Sequence, residues 1–289
     1  MADRLPETEN WVRMTTVDRR AAIFGSVAAS AYALAAQPVE AAIVTPADGL
    51  DAGMTTFKAS GGFTMNAYRA RPKGKRNLPI VMVVQEIFGV HEWMKDITRR
   101  FARAGYYAIA PDLYARQGDA TKVADVQTLF QTIVTKVPDA QVMADLDALA
   151  AFAGRDGGNG RLLGVTGFCW GGRITWLYAA HNPRLKACVA WYGRLTSAAT
   201  PLQPMVPIDL VPRINMPVLG LYGGKDRGIP VADVERMNAA LAAARKPATI
   251  KLYPEADHGF LADYRPSYNA AAAKDAWAQA VAWFAKYLQ

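Results

Sequence analysis

The residues whose types and spacing could do acyl-transfer chemistry are Cys169, Asp226, His258 and Glu86. Cys169 sits in Gly167-Phe168-Cys169-Trp170-Gly171, the Gly-x-nucleophile-x-Gly spacing of a tight strand-to-helix turn, with Cys where Ser is more usual. Such a turn strains the nucleophile's backbone and leaves no room for side chains two residues to either side, so glycine is expected at both flanks. The helix that follows aims its dipole and free amides at the sulfur, which favours a thiolate and later an oxyanion. A free thiol is only partly ionised and needs a base, which His258 can be. Asp226 would hold the imidazole in one tautomer and stabilise its charged form. Two backbone amides, those of Trp170 and Ile87, would form the oxyanion hole, one following the nucleophile and one from an earlier strand–helix loop.

These residues need a scaffold that brings them together from distant parts of the chain. Leu78-Pro79-Ile80-Val81-Met82-Val83-Val84 is an unbroken apolar run, the pattern of a strand buried on both faces, and it leads into Gln85-Glu86-Ile87-Phe88-Gly89. Further strands are expected over 63–71, 106–110, 161–165, 185–191, 217–222 and 249–253. Helices are expected over 92–104, 121–135, 138–153, 174–180 and 231–244. A closing helix carries Trp277, Val281, Phe284 and Leu288 on one face. The loop 194–213 contains Pro201, Pro204, Pro207 and Pro212 and is expected to be irregular and to lie over the site. Alternating strand and helix predicts an α/β fold with a mostly parallel, doubly wound sheet flanked by helices. Such sheets carry their chemistry at the carboxyl ends of the strands, where Glu86, Arg116, Cys169, Asp226 and His258 all fall.

Composition narrows the function classes. Of 289 residues, 52% are apolar, so the chain is expected to fold as a globular unit. The net charge is +8, yet no Lys/Arg run or basic–aromatic interleaving points to nucleic acid. The three histidines, His91, His181 and His258, are scattered, so neither a metal nor another cofactor is expected. The second cysteine, Cys188, lies in an apolar run and reads as a buried structural thiol; without a C-x-x-C, a redox role for Cys169 is disfavoured. Residues 1–41 have n-, h- and c-regions in order: Arg19-Arg20, an Ala-rich apolar run to Ala36, and Val39-Glu40-Ala41. They resemble a twin-arginine signal peptide, so export to the periplasm or beyond is expected, with no stable membrane span after processing. Residues 42–289 then form a single domain, expected to be monomeric.

The order nucleophile, acid, histidine matches the α/β-hydrolase arrangement. Four motifs together narrow this further: Gln85-Glu86-Ile87-Phe88-Gly89, Pro111-Asp112-Leu113-Tyr114-Ala115-Arg116, Gly167-Phe168-Cys169-Trp170-Gly171-Gly172 and His258-Gly259-Phe260. With them the chain, from about 55 to 289, resembles the dienelactone hydrolase family (carboxymethylenebutenolidase-like enzymes). The resemblance implies an α/β-hydrolase fold, a Cys-His-Asp triad and hydrolysis of a cyclic enol-lactone to an oxo-diacid. It implies that Glu86 accepts the thiol proton when substrate binds, and that Arg116 helps to bind the substrate carboxylate. Glu86 could instead serve a structural salt bridge with Arg116 or Arg173. The family has an arginine four residues after the histidine; here that position is Ala262, with Arg265 as the candidate replacement. Tyr192, at a strand end, is a further candidate substrate contact. A broader carboxylesterase or thioesterase acting on small esters is the alternative, and a non-catalytic binder on the same fold would have no need for all three triad residues.

Overall fold

The computed structural model describes residues 44–289. The proposed export segment, 1–41, lies outside the described residues. Eight strands form one sheet: β1 (Leu50–Lys58), β2 (Thr64–Pro72), β3 (Leu78–Val84), β4 (Tyr107–Pro111), β5 (Gly158–Phe168), β6 (Ala187–Trp191), β7 (Val218–Gly223) and β8 (Ala248–Tyr253). Their spatial order is β1-β2-β4-β3-β5-β6-β7-β8. The pairs β1–β2 and β2–β4 are antiparallel, and every pair from β4–β3 to β7–β8 is parallel.

The helices are α1 (Glu92–Arg103), α2 (Val126–Thr132), α3 (Asp139–Arg155), α4 (Trp170–His181), α5 (Val231–Ala243) and α6 (Ala270–Tyr287). On one face of the sheet α1 and α6 meet through Phe101, whose ring centroid lies 4.7 Å from Trp277 and 5.8 Å from Phe284. On the other, Tyr178 of α4 donates to Asp147 of α3. Cover on both faces is why the central strands read as unbroken apolar runs: Ile80 to Val84 and Ala187 to Trp191 are fully buried. Burying each large apolar side chain there contributes roughly 1.5–3 kcal/mol.

Three departures from the sequence reading have physical causes. The edge strand β1 was not expected, because Leu50–Lys58 shows little apolar alternation; most of it stays half-buried or exposed, with Met54 on the outer edge. The closing helix does not present the expected stripe. Its buried line runs through Ala273, Ala276, Ala280, Phe284 and Leu288, while Trp277 and Val281 are only half-buried on its flank. Small residues let this helix lie close to the sheet: a Cβ on Gly164 of β5 would come within 2.9 Å of Phe284. The stretch 121–135 holds only a seven-residue helix, capped by Asp125 accepting from the Thr128 amide, with 3₁₀ turns on either side. Loop 194–213 is irregular as expected up to a 3₁₀ segment at Pro207–Arg213.

Candidate active site

The strand β5 and helix α4 meet at Cys169, whose backbone has φ 57° and ψ −113°. A non-glycine residue rarely adopts such a conformation, and its strain is held by the surroundings: the Cys169 amide donates to Trp191 O at 3.0 Å. The flanking glycines are required by backbone, not by the nucleophile's side chain. A Cβ on Gly167 would sit 2.1 Å from the Gly171 carbonyl oxygen, and one on Gly171 would sit 2.4 Å from the Val84 carbonyl oxygen. The turn is thus wedged against the end of β3, beside Gln85 and Glu86.

Helix α4 is anchored by Arg173, which makes a two-pronged bond to Asp139 (2.7 and 2.9 Å) and donates to Met205 O at 2.6 Å. This ties the elbow to α3 and to the loop 194–213, and it takes Arg173 out of consideration as a partner of Glu86.

His258 follows β8, and its Nδ1 lies 2.7 Å from Oδ2 of Asp226, which follows β7; both side chains are buried. Asp226 is fixed in turn by the amides of Gly228 and Ile229, which donate to its Oδ1. Burial works to lower the His258 pKa, but the charges of Asp226 and Cys169 and hydrogen bonds with both side chains raise it to about 10. The surroundings thus favour the charged form of the ring, with the sulfur beside it. The structure brings Cys169, His258 and Asp226 into one cluster.

Trp170 opens α4, where the first amides have no acceptor within the helix. Ile87 lies in a turn closed by Gly89 N donating to Glu86 O, and among the described residues its amide donates to no protein acceptor. Neither amide is committed to a protein acceptor among the described residues. The Trp170 ring packs edge-on against Tyr114, with centroids 4.8 Å apart.

Glu86 is fully buried, and its partner is Arg265, not Arg116 or Arg173. Arg265 Nη2 reaches Glu86 Oε2 at 2.7 Å, with both side chains at most 1% exposed. Tyr264 OH donates to the same oxygen at 3.1 Å and itself accepts from Arg265 Nε at 2.8 Å; His91 Nε2 lies 3.3 Å from it. Burial alone would raise the Glu86 pKa, but Arg265 and then His91 hold it below the usual carboxylate range. Sequence reasoning named Arg265 but missed Tyr264 and His91. A short turn, with Ala262 N donating to Gly259 O and Arg265 N to Ala262 O, folds Arg265 back toward the histidine's own loop. Neighbouring Asp263 is held by Arg100 of α1.

Tyr192 is fully buried with φ 36°. Its ring stands edge-on to His258, centroids 5.1 Å apart, and its hydroxyl has no hydrogen-bond partner among the described residues. Burial first, then the charges of Glu86 and Cys169, push its pKa well up, so it stays a neutral donor in the cluster.

Arg116 departs from its expected role. Its guanidinium is bound to the buried carboxylate of Asp145 and donates to Ser60 O at 2.8 Å, with its charge 4.5 Å above the Phe63 ring. A guanidinium already neutralised by a buried carboxylate is a clamp between α3 and the start of β2. Arg116 is thus committed to Asp145 and Ser60, and its expected role in binding a substrate carboxylate would have to be played from within that pairing. The expected result for Arg116→Ala is a loss of about 3–5 kcal/mol in urea-unfolding stability, because Asp145 is left buried without its cation, held only by the Ser60 amide and hydroxyl. Unchanged stability with a raised KM for acidic substrates alone would restore the anchoring role.

Comparison with known proteins places this chain in a family. The dienelactone hydrolase family model matches residues 65–288. An Escherichia coli (strain K12) protein named "Putative carboxymethylenebutenolidase" is 55% identical over 260 residues, covering 89% of this chain and 96% of its own. A Methylorubrum extorquens protein of the same name is 53% identical over 276 residues, covering 94% of each chain. Among solved structures, the "Putative Dienelactone Hydrolase" of Klebsiella pneumoniae subsp. pneumoniae superposes with a TM-score of 0.81 at 56% identity, covering 83% of this chain and 100% of that one. An α/β-hydrolase sheet, a strained cysteine elbow and matched relatives along most of the length lead to one statement: the chain belongs to the dienelactone hydrolase family and is a hydrolase.

Proposed function

We propose that the protein hydrolyses the ester bond of a small carboxylated lactone of the dienelactone type, through Cys169, His258 and Asp226 and a thioester acyl-enzyme. The observation that carries this is the buried His258–Asp226 pair beside a cysteine held at φ 57° between strand and helix. With His258 holding its own proton, the thiol proton of Cys169 goes to Glu86. The Cys169 thiolate attacks the lactone carbonyl carbon, forming an S–C bond, and the oxygen takes the charge at the Ile87 and Trp170 amides. The tetrahedral intermediate collapses by breaking the ring C–O bond, and His258 gives its Nε2 proton to the departing enolate oxygen. Water then attacks the thioester, with His258 taking its proton. The S–C bond breaks, and the diacid leaves with the thiolate restored. Arg265, Tyr192 and the Trp170 indole are the side chains proposed to contact the substrate. No metal or cofactor takes part in this scheme.

One observation favours a second reading, a broader carboxylesterase or thioesterase. Arg116 and Arg265 are both already paired with buried carboxylates, Asp145 and Glu86, which weakens the case for a strongly anionic substrate. Assaying the purified protein on a carboxylated dienelactone and on neutral p-nitrophenyl esters decides between them. Preference for the lactone in kcat/KM by on the order of tenfold or more supports the first reading, and the reverse preference supports the second.

We also propose that residues 1–41 are a twin-arginine export signal and that the mature protein is periplasmic or secreted. Among the described residues no helix is long and apolar enough to cross a membrane. Intact-mass analysis of protein from its native host is expected to give an N-terminus near Ala42; a full-length N-terminus would contradict export processing.

A further inference from the structure

His91 has a place in this site that its sequence position conceals. It is the N-cap of α1, where a side chain ordinarily accepts from an amide of the first turn. His91 makes no such bond. Its ring is turned instead toward Glu86, with Nε2 3.3 Å from Oε2, and an ionised carboxylate at that distance requires Nε2 to carry the hydrogen. Aromatic neighbours fix the ring: Trp93 stacks against it at 6.3 Å, and Tyr264 and Phe88 meet it edge-on at 5.6 and 6.2 Å.

The consequence for Glu86 is asymmetry. Arg265, Tyr264 and His91 all bond to Oε2. The other oxygen, Oε1, is buried and has no partner among the described residues. Buried carboxylate oxygens are ordinarily hydrogen-bonded, so a bare one calls for an explanation. The groups whose charge bears on this carboxylate are Arg265 and Tyr264 from the loop after β8, His91 from the start of α1, His258 across the cluster and Tyr192 from the end of β6. None of these offers Oε1 a hydrogen.

We propose that His91 is a positioning residue acting through Glu86: together with Arg265 and Tyr264 it pins one carboxylate oxygen and so presents the other to the thiol proton of Cys169. This rests on the reading of Glu86 as the thiol's proton acceptor. The proton moves from sulfur to Oε1, leaving a thiolate and a neutral carboxyl, and returns when the thiol is regenerated. His91 itself exchanges no proton in this step; it sets where the carboxylate points and how readily it takes one.

Steady-state kinetics on p-nitrophenyl acetate and iodoacetamide alkylation of Cys169, both followed across the acid range, test the proposal with the full-length enzyme. For His91→Ala the expected result is a kcat lower by about ten- to a hundredfold, the scale of a slightly misplaced catalytic group, with KM within about twofold. The acid limb of kcat/KM and of alkylation is expected at higher pH, because Glu86 loses a donor that favours its charged form. His91→Gln is expected to restore most of kcat, since its amide can donate to the same oxygen. The double variant with Glu86→Gln is expected to be no slower than Glu86→Gln alone. A His91→Ala enzyme with wild-type kcat and an unmoved acid limb, beside a slow Glu86→Gln, would overturn the proposal while leaving Glu86 as acceptor. A Glu86→Gln enzyme of wild-type kcat would overturn the Glu86 reading, and this proposal with it. A further loss from His91→Ala in the Glu86→Gln background would show that His91 does not act through Glu86.

Discussion

Cys169→Ala is expected to fold as the wild type does and to lose turnover by on the order of a thousandfold or more on any ester the enzyme accepts, the scale of a lost triad nucleophile. Stability is expected to hold because alanine fills most of the same space and the strained turn is secured by backbone: Cys169 N to Trp191 O, and Gly172 N and Arg173 N to Cys169 O. Activity is expected to vanish because nothing else in the cluster can attack a carbonyl. Cys188 is fully buried in β6, and burial pushes its thiol pKa up beyond use. Circular dichroism and kcat/KM measured on one preparation check both halves. Near-normal hydrolysis by the alanine variant would remove Cys169 from the mechanism.

Arg265→Met is expected to have the second largest effect, and on stability. Glu86 and Arg265 are both buried, so removing the cation leaves a buried carboxylate with only the Tyr264 hydroxyl and His91 to hold it, at a cost of about 3–5 kcal/mol. The pH dependence should invert. In the wild type the Glu86 pKa is lowered, so its contribution is full above the unfolded carboxylate value of 4.5 and is lost as pH falls through the folded one. Without Arg265 burial dominates and raises the pKa; the variant's deficit is then smallest in acid and grows as pH rises through the new value. Urea-unfolding midpoints for both proteins across the acid range measure this. Parallel pH profiles would mean that Glu86 is neutral or solvated in the wild type.

How much of this could be read in the sequence follows from where the physical constraint is local. The elbow was legible because Gly167 and Gly171 answer to backbone atoms only a few bonds away in the fold, so the constraint leaves a fixed spacing. The buried strand Leu78–Val84 was legible to the residue, because burial on both faces admits only apolar side chains. The edge strand β1 left little signal, since one edge meets solvent and the register comes from β2. The burial of α6 was misread because three alanines face the sheet, where the eye follows Trp277 and Val281. Two ion pairs at and near the site, Arg116–Asp145 and Arg265–Glu86, link residues far apart in the chain. Asp145 sits in an ordinary amphipathic helix, so nothing in its neighbours says that it takes Arg116. Arg265 could be named as a candidate, but only the turn after His258 brings it to Glu86. His91 reads only as one of three scattered histidines, and nothing in the sequence singles out Tyr264, until the fold sets both beside one carboxylate oxygen.

The central claim is that Cys169 carries the acyl group. It is tested most directly by acid-quenching the enzyme during turnover of p-nitrophenyl acetate and mapping the modified peptide by mass spectrometry. The account predicts an acetyl group in thioester linkage on Cys169, absent from Cys169→Ala and released by hydroxylamine at neutral pH. Steady turnover with Cys169 unmodified throughout, or with the acyl group on another side chain, would contradict it.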